Sequence, residues 1–282
     1  MGKDSALIFI CLTIISACAS TAGGPYNRAV ENYSAGRIGD SIDAYRQAII
    51  IDPSDLQAKF NLAVIYQDQG KSEEAESLYR TILNRNPGFA PAWSNLASVE
   101  EKHGLLTEAE NHHRRAVLAD RDGCAASSQF GYFLLRAQRS DEAAQVFEQS
   151  TKADPPCANA WFGLAEIARA KGDYPAALKS YDKALIYNPS DLEARRRSAD
   201  ILISLGDRGR AAELLLKAAS LNPDRGDINL QLGILLREQG RLKDAEKALE
   251  AAKKAGAPQA ECDRELSILY GKLSEEAAGK AR

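Results

Sequence analysis

Residues 161–189 read WFGLAEIARAKGDYPAALKSYDKALIYNP, and the spacing within this stretch recurs along most of the chain. Its closing proline, Pro189, has counterparts at Pro53, Pro87, Pro155 and Pro223 on one 34-residue grid, although the chain holds only 10 prolines. Gly172 recurs as Gly36, Gly70, Gly104, Gly206 and Gly240. Ala165 belongs to a column of small residues: Ala29, Ala63, Ala97, Gly131, Ala199 and Gly233. Ala177 belongs to another: Ser41, Ala75, Ala109, Ala143, Ala211 and Ala245. An aromatic column runs Tyr45, Tyr79, Phe147 and Tyr181, with His113, Leu215 and Leu249 in its other places. Self-similarity at a fixed period of this length marks a stack of repeats.

Each period reads as two amphipathic helices, for example 57–69 and 73–85. The glycine ends the first helix, where a left-handed residue costs least without a Cβ. The proline stops the second, because the residue before it disfavours helical geometry. Capping boxes Ser54…Gln57 and Ser190…Glu193 are expected to start the next helix. Seven repeats fit without insertion or deletion: 22–55, 56–89, 90–123, 124–157, 158–191, 192–225 and 226–259. Beyond them, residues 260–282 carry Leu266, Leu269, Tyr270 and Leu273 on one helical stripe, which predicts a capping helix with a frayed end from Glu275. Two positions depart from the pattern. Arg121 replaces the proline and Gln138 the glycine, read as repeat drift, with a softened joint as the alternative.

The run Trp161-Phe162-Gly163-Leu164-Ala165, followed by Ala177, Tyr181 and Pro189, resembles the tetratricopeptide repeat (TPR) family. That resemblance implies an all-α fold, a TPR superhelical solenoid whose first helices line a concave groove for peptides, helices or whole domains. By the register, the inner face starts with Tyr26, Phe60, Val64 and Gln67 and continues through the polar Ser94, Ser98, Glu101 and Ser128. Tyr132, Leu135 and Phe162 follow, then Glu166, Arg169, Arg196, Asp200 and Arg237. The expected partner groove is therefore an apolar anchor of Tyr132, Leu135 and Phe162 rimmed by Glu166, Arg169, Arg196 and Asp200, with Phe60 and Val64 as a second apolar place. The lysine/asparagine clamp of chaperone-binding members is represented only by Asn61 and Asn95, so that reading is disfavoured.

The first residues form a separate object. Lys3 is followed by an apolar run, Ala6–Ile15, broken only by Thr13. It is too short for a bilayer span, which takes about twenty residues, and fits the apolar core of a secretory signal. Ile15-Ser16-Ala17-Cys18 resembles the bacterial lipobox. The resemblance implies a signal peptide over 1–17, acylation of Cys18 and a short lipidated linker over 18–21. Cys18-Ala19 follows the sorting pattern of outer-membrane lipoproteins, so the expected location is the periplasmic face of that membrane. Cys124 and Cys157 lie 33 residues apart in neighbouring inter-repeat loops. A bridge needs Cα atoms within about 7 Å, while neighbouring helices stand about 10 Å apart, so the spacing speaks against a disulfide at this pair without excluding it. Cys262 reads as a lone thiol.

Composition limits the chemistry. With 36 basic and 39 acidic residues the net charge is −3, against a general nucleic-acid binder. The sequence has no phosphate loop, nucleophile elbow or paired-histidine zinc helix. Ser180…Lys183 matches a Ser-x-x-Lys spacing but lacks companion motifs, and adjacent His112 and His113 point about 100° apart. Arg195-Arg196-Arg197 reads as a snorkelling helix surface. No enzyme, metal or cofactor is expected. The sequence points to a protein-binding scaffold anchored to the bacterial envelope, similar to TPR lipoproteins of type IV pilus biogenesis and outer-membrane assembly. The alternative is an accessory subunit positioning a cell-wall or polysaccharide enzyme. Partners are proteins or peptides, with the membrane reached through the lipid; the oligomeric state stays open.

Overall fold

A computed structural model describes residues 24–120, 124–152 and 156–280. The segments 1–17 and 18–21, with Cys18, lie outside the described residues, as do Arg121 and Pro155. The chain divides into two compact units, Met1–Asn86 and Pro87–Arg282. The first holds α1 (Pro25–Ser34), α2 (Ile38–Ile51), α3 (Leu56–Asp68) and α4 (Ser72–Arg85), two helical hairpins packed in sequence. In the second, five hairpins follow: α5 (Ala90–Lys102) with α6 (Leu106–Ala119), α7 (Ala125–Arg136) with α8 (Ser140–Ser150), and α9 (Ala158–Ala170) with α10 (Tyr174–Tyr187). Then come α11 (Leu192–Ser204) with α12 (Arg208–Leu221) and α13 (Gly226–Glu238) with α14 (Leu242–Lys254), closed by α15 (Gln259–Lys280). Helix is the regular structure throughout the described residues.

The hairpin turns follow the glycine column. Gly36, Gly70, Gly104, Gly172, Gly206 and Gly240 all take φ between 74 and 81°. Gln138 adopts the same left-handed geometry at φ 60°. Its N–H reaches the Leu135 carbonyl at 3.0 Å and that of Arg139 reaches Leu134 at 2.9 Å, as Gly172 and Asp173 do with Arg169 and Ala168. The turn is thus kept at Gln138, not softened, and the side chain bears the conformational cost. The helix starts differ from expectation by one residue. Asp55 and Asp191, not Ser54 and Ser190, are the N-caps, accepting from the Ala58 and Ala194 N–H groups at 2.9 Å. The serines instead donate to Asp52 and Asn188, folding the preceding loop. A carboxylate at the cap adds favourable charge at the positive helix end.

The core is large against small. Phe147 of α8 is fully buried between Gly131 of α7 and Gly163 of α9. A Cβ at either glycine would fall 2.5 or 2.4 Å from the ring. Leu249 fills the equivalent slot over Gly233, where an added Cβ would stand 2.6 Å away. In the first unit the same column holds Tyr45, and its hydroxyl accepts a hydrogen bond from Asn61 of the next first helix at 3.0 Å. Phe147 has no hydroxyl, and the residue corresponding to Asn61 is Gly163, which has no amide to satisfy.

A second device recurs near each helix start. Lys59 Nζ donates to the Pro53 carbonyl at 2.7 Å, Trp93 Nε1 to Pro87 at 2.8 Å and Asn229 Nδ2 to Pro223 at 3.0 Å; Arg195 donates likewise to Pro189. Four chemically different side chains therefore tie their helix to the proline loop six residues back. At the end of the chain, Leu266 and Leu269 of α15 join the core, whereas Tyr270 stays 46% exposed, and helix continues to Lys280 where fraying from Glu275 was expected.

His113 occupies the aromatic column of α6 at 1% exposure, with ring centroids 6.0 Å from Phe130 and 5.1 Å from Phe133. Neither ring nitrogen has a hydrogen-bond partner. Burial pushes its pKa down to about 4, and the Glu101 carboxylate only partly offsets this. The unfolded chain binds that proton near pH 6.5, so stability is full above 6.5 and falls as pH drops toward 4. The loss should be about 3 kcal/mol, and His113→Phe should remove that part of the pH dependence in urea melts between pH 7 and 4. For packing, Gly163→Ala should destabilise by about 1–3 kcal/mol through overpacking against Phe147. Gln138→Gly should stabilise by about 1 kcal/mol by relieving the left-handed side chain. Chemical denaturation of both variants reads the two signs directly.

Candidate protein-binding face

The face of interest is built by the first helices. In the first unit, Tyr26 meets Tyr45 edge-on at 5.8 Å, and Phe60 lies 6.0 Å from Tyr79. Phe60 and Val64 are half-buried. Asn61 is engaged by the hydroxyls of both Tyr26 and Tyr45, so it already serves the fold. Gln67 is buried and accepts from Tyr79 Oη at 2.8 Å, which takes it off the expected inner surface.

In the second unit, Ser94 and Ser128 are likewise buried and do not contribute to a polar lining. Glu101 is held by Arg136 in a two-pronged pair at 2.6 and 2.8 Å. Tyr132 of α7 leans edge-on against Phe147 at 5.3 Å, and its hydroxyl donates to the Asn159 carbonyl of α9 at 3.4 Å. Phe162 meets Tyr181 edge-on at 5.5 Å. Tyr132, Leu135 and Phe162 are all half-buried, so each presents one side to the core and the other outward. These side chains therefore do share in holding their repeats, a role that spacing alone did not reveal. Burial raises the Tyr132 pKa above the ordinary tyrosine range.

The charged rim is saturated from within. Glu166 accepts from Tyr181 Oη, pairs with Arg169 at 2.8 Å and lies 3.8 Å from Arg197. Burial raises its pKa, but the Arg169 and Tyr181 hydrogen bonds outweigh that and leave it lowered. Arg196 lies between Glu193 at 2.6 Å and Asp200 at 3.4 Å, and Gln231 of α13 donates to Asp200. Arg237 is largely enclosed with Glu265 of α15 at 3.0 Å. Within the basic run, Arg195 turns to a backbone carbonyl and Arg197 pairs with Glu193 at 2.8 Å. The sequence register did not mark Glu193, Arg197, Gln231 or the Tyr181 hydroxyl, because three are outside the expected inner columns and Tyr181 belongs to the core column.

A covalent clamp joins the starts of the two helices that carry Tyr132 and Phe162. Cys124 and Cys157 are the N-cap residues of α7 and α9, and their sulfurs form a disulfide with Cα atoms 5.2 Å apart. The helix starts approach more closely than the roughly 10 Å spacing of packed helix axes. Cys157 is buried, with Ser128 Oγ 3.4 Å from its sulfur. Cys262 is a buried free thiol whose pKa is raised by burial. His112 is occupied by Glu100 at 2.6 Å and by stacking on Trp93 at 5.1 Å.

Comparison with known proteins agrees with this architecture. Tetratricopeptide repeat families match residues 130–191 and 196–260 in one case and 33–100 and 168–219 in another. Among solved structures, PilF of Pseudomonas aeruginosa superposes with a TM-score of 0.60 at 20% identity, covering 76% of this chain and 97% of that one. PilW, a widely conserved type IV pilus biogenesis factor, gives 0.58 at 19% identity, covering 76% and 99%. Tetratricopeptide repeat protein 37 of Xenopus laevis is 30% identical over 97 residues, 33% of this chain, which spans only 6% of that relative's length. The repeated helical hairpins, the alternating small and large columns and these matches together make the chain a member of the tetratricopeptide repeat family.

Proposed function

We propose that this chain is a lipid-anchored scaffold of the bacterial envelope that captures a partner protein on the face shared by α7 and α9. Tetratricopeptide repeats serve protein–protein interaction, and the observation that carries the finer reading is the pair of half-buried rings, Tyr132 and Phe162, on neighbouring clamped helices. Since Glu166, Arg169, Arg196 and Asp200 neutralise one another, a partner gains most from apolar contact with these rings and with Leu135. Aromatic anchors of this kind are the usual carriers of interface energy. The ion pairs then supply register and shape.

Two features support an envelope location. The lipobox-like Ile15-Ser16-Ala17-Cys18 supplies the anchor, and several acyl chains hold a protein stably where one would be marginal. Independently, the Cys124–Cys157 bridge belongs to an oxidising compartment, since thiols in the cytosol are kept reduced. The fold likeness to PilF and PilW is in keeping with such a setting.

Tyr132→Ala with Phe162→Ala should lose a partner band in pull-downs from envelope extract, each truncation costing about 2 kcal/mol of binding. Circular dichroism should stay helical, and the exposed Glu213→Ala should behave as wild type. Retention of every band by the double variant would remove the site. For the anchor, Cys18→Ala should abolish uptake of labelled palmitate in a bacterial host. Equal labelling of both proteins rejects lipidation at that residue.

A further inference from the structure

Between the outer side of α10 and the turn from α11 into α12 runs a groove of about 550 Å³. Leu178, Ile186 and Leu205 supply its apolar surface, with Ile186 62% and Leu205 55% exposed. Lys179 and Lys183 border it against a single acid, Asp182, while Arg210 closes on Asp207 at 3.7 Å. This basic excess is local, since the whole chain carries −3. It also differs from the first-helix face, where Arg136, Arg169, Arg196 and Arg197 each close on a carboxylate of the chain itself. Lys179 and Lys183 make no ion pair or hydrogen bond among the described residues. Single exposed aliphatic side chains are ordinary. Two of them inside a slot edged by uncompensated ammonium groups form an amphipathic surface of defined polarity.

The groove is open rather than enclosed, which suits a ridge of side chains better than a small molecule. A helix presenting an apolar stripe fits such a slot through anchors three and four residues apart. We propose that this groove binds an acidic amphipathic helix of a partner protein, with apolar anchors on Leu178, Ile186 and Leu205 and carboxylates on Lys179 and Lys183. The site is separate from the Tyr132/Phe162 face and does not depend on it. A flat anionic bilayer matches the charge but not the recess, because Leu178 is half-buried behind the exposed pair.

Fluorescence anisotropy with the full chain tests the assignment. The probe is a fluorescein-labelled helical peptide with leucines three and four apart and glutamates on both flanks. A second peptide carries lysine for every glutamate. The glutamate peptide should bind saturably and more weakly as salt rises. Lys179→Glu with Lys183→Glu should weaken it by roughly tenfold or more and create affinity for the lysine peptide. Lys179→Gln with Lys183→Gln should weaken it by a smaller step, which keeps the reading valid if charge reversal disturbs folding. Ile186→Ser should weaken both combinations, and Tyr132→Ala with Phe162→Ala should leave affinity unchanged. The proposal falls if wild type ignores the glutamate peptide, if lysine substitution leaves affinity intact, or if the Tyr132/Phe162 variant loses it. It falls equally if the two lysines drive binding to phosphatidylglycerol vesicles while the peptide does not bind.

Discussion

The structure depends on a size match, a bulky side chain from a second helix received by residues too small to obstruct it. Phe147 makes this plain, because Gly131 and Gly163 lie on different first helices and the ring closes against both. One side chain thereby joins α8 to its own hairpin and to the next, the nearest-neighbour coupling on which repeat arrays stand. Where the column carries Tyr45, the same contact includes a hydroxyl and brings the Asn61 amide with it. The contact thus varies in chemistry from repeat to repeat while Tyr45, Phe147 and Leu249 all stay buried in it. Volume is what a close-packed interior enforces most strictly.

Most of this was legible in the sequence because size and turn chemistry leave their mark on residue type. Glycine and proline fall in fixed columns, and so do alanine and the rings. The ties from Lys59, Trp93, Arg195 and Asn229 to the proline carbonyls were not legible. Those four side chains share only an N–H at the right reach, and a column defined by resemblance between residues passes over them. Gln138 is the converse case. Its residue type spoke against a left-handed turn, yet flanking hairpins packed in register impose the geometry on it.

The candidate face was legible in position but not in state. The repeat register assigns Tyr132, Leu135, Phe162, Glu166 and Arg196 to the inner columns of their first helices. What spacing could not convey is how far each is already engaged. Gln67, Ser94 and Ser128 are buried, Arg237 is enclosed with Glu265, and the two rings rest on Phe147 and Tyr181. Each of these outcomes depends on a neighbour far away in sequence. The Cys124–Cys157 bridge belongs to the same class, since its formation turns on the distance between two helix starts rather than on the residue count separating them.

That bridge also gives the chain an uneven response to mechanical load. A protein pulled at both ends is loaded along its backbone, and a repeat array yields by peeling hairpins away. Tension entering at Cys124 leaves at Cys157 through the sulfurs, so the intervening 33-residue separation, with all of α7 and α8, carries no load. Roughly 110 Å of contour length is withheld from extension at about 3.3 Å per residue. The contact of Phe147 with Gly131 is spared along with it, whereas that with Gly163 lies outside the loop. Of the two rings on the candidate face, Tyr132 thus sits inside the part of the chain that tension cannot stretch, and Phe162 sits just beyond its edge.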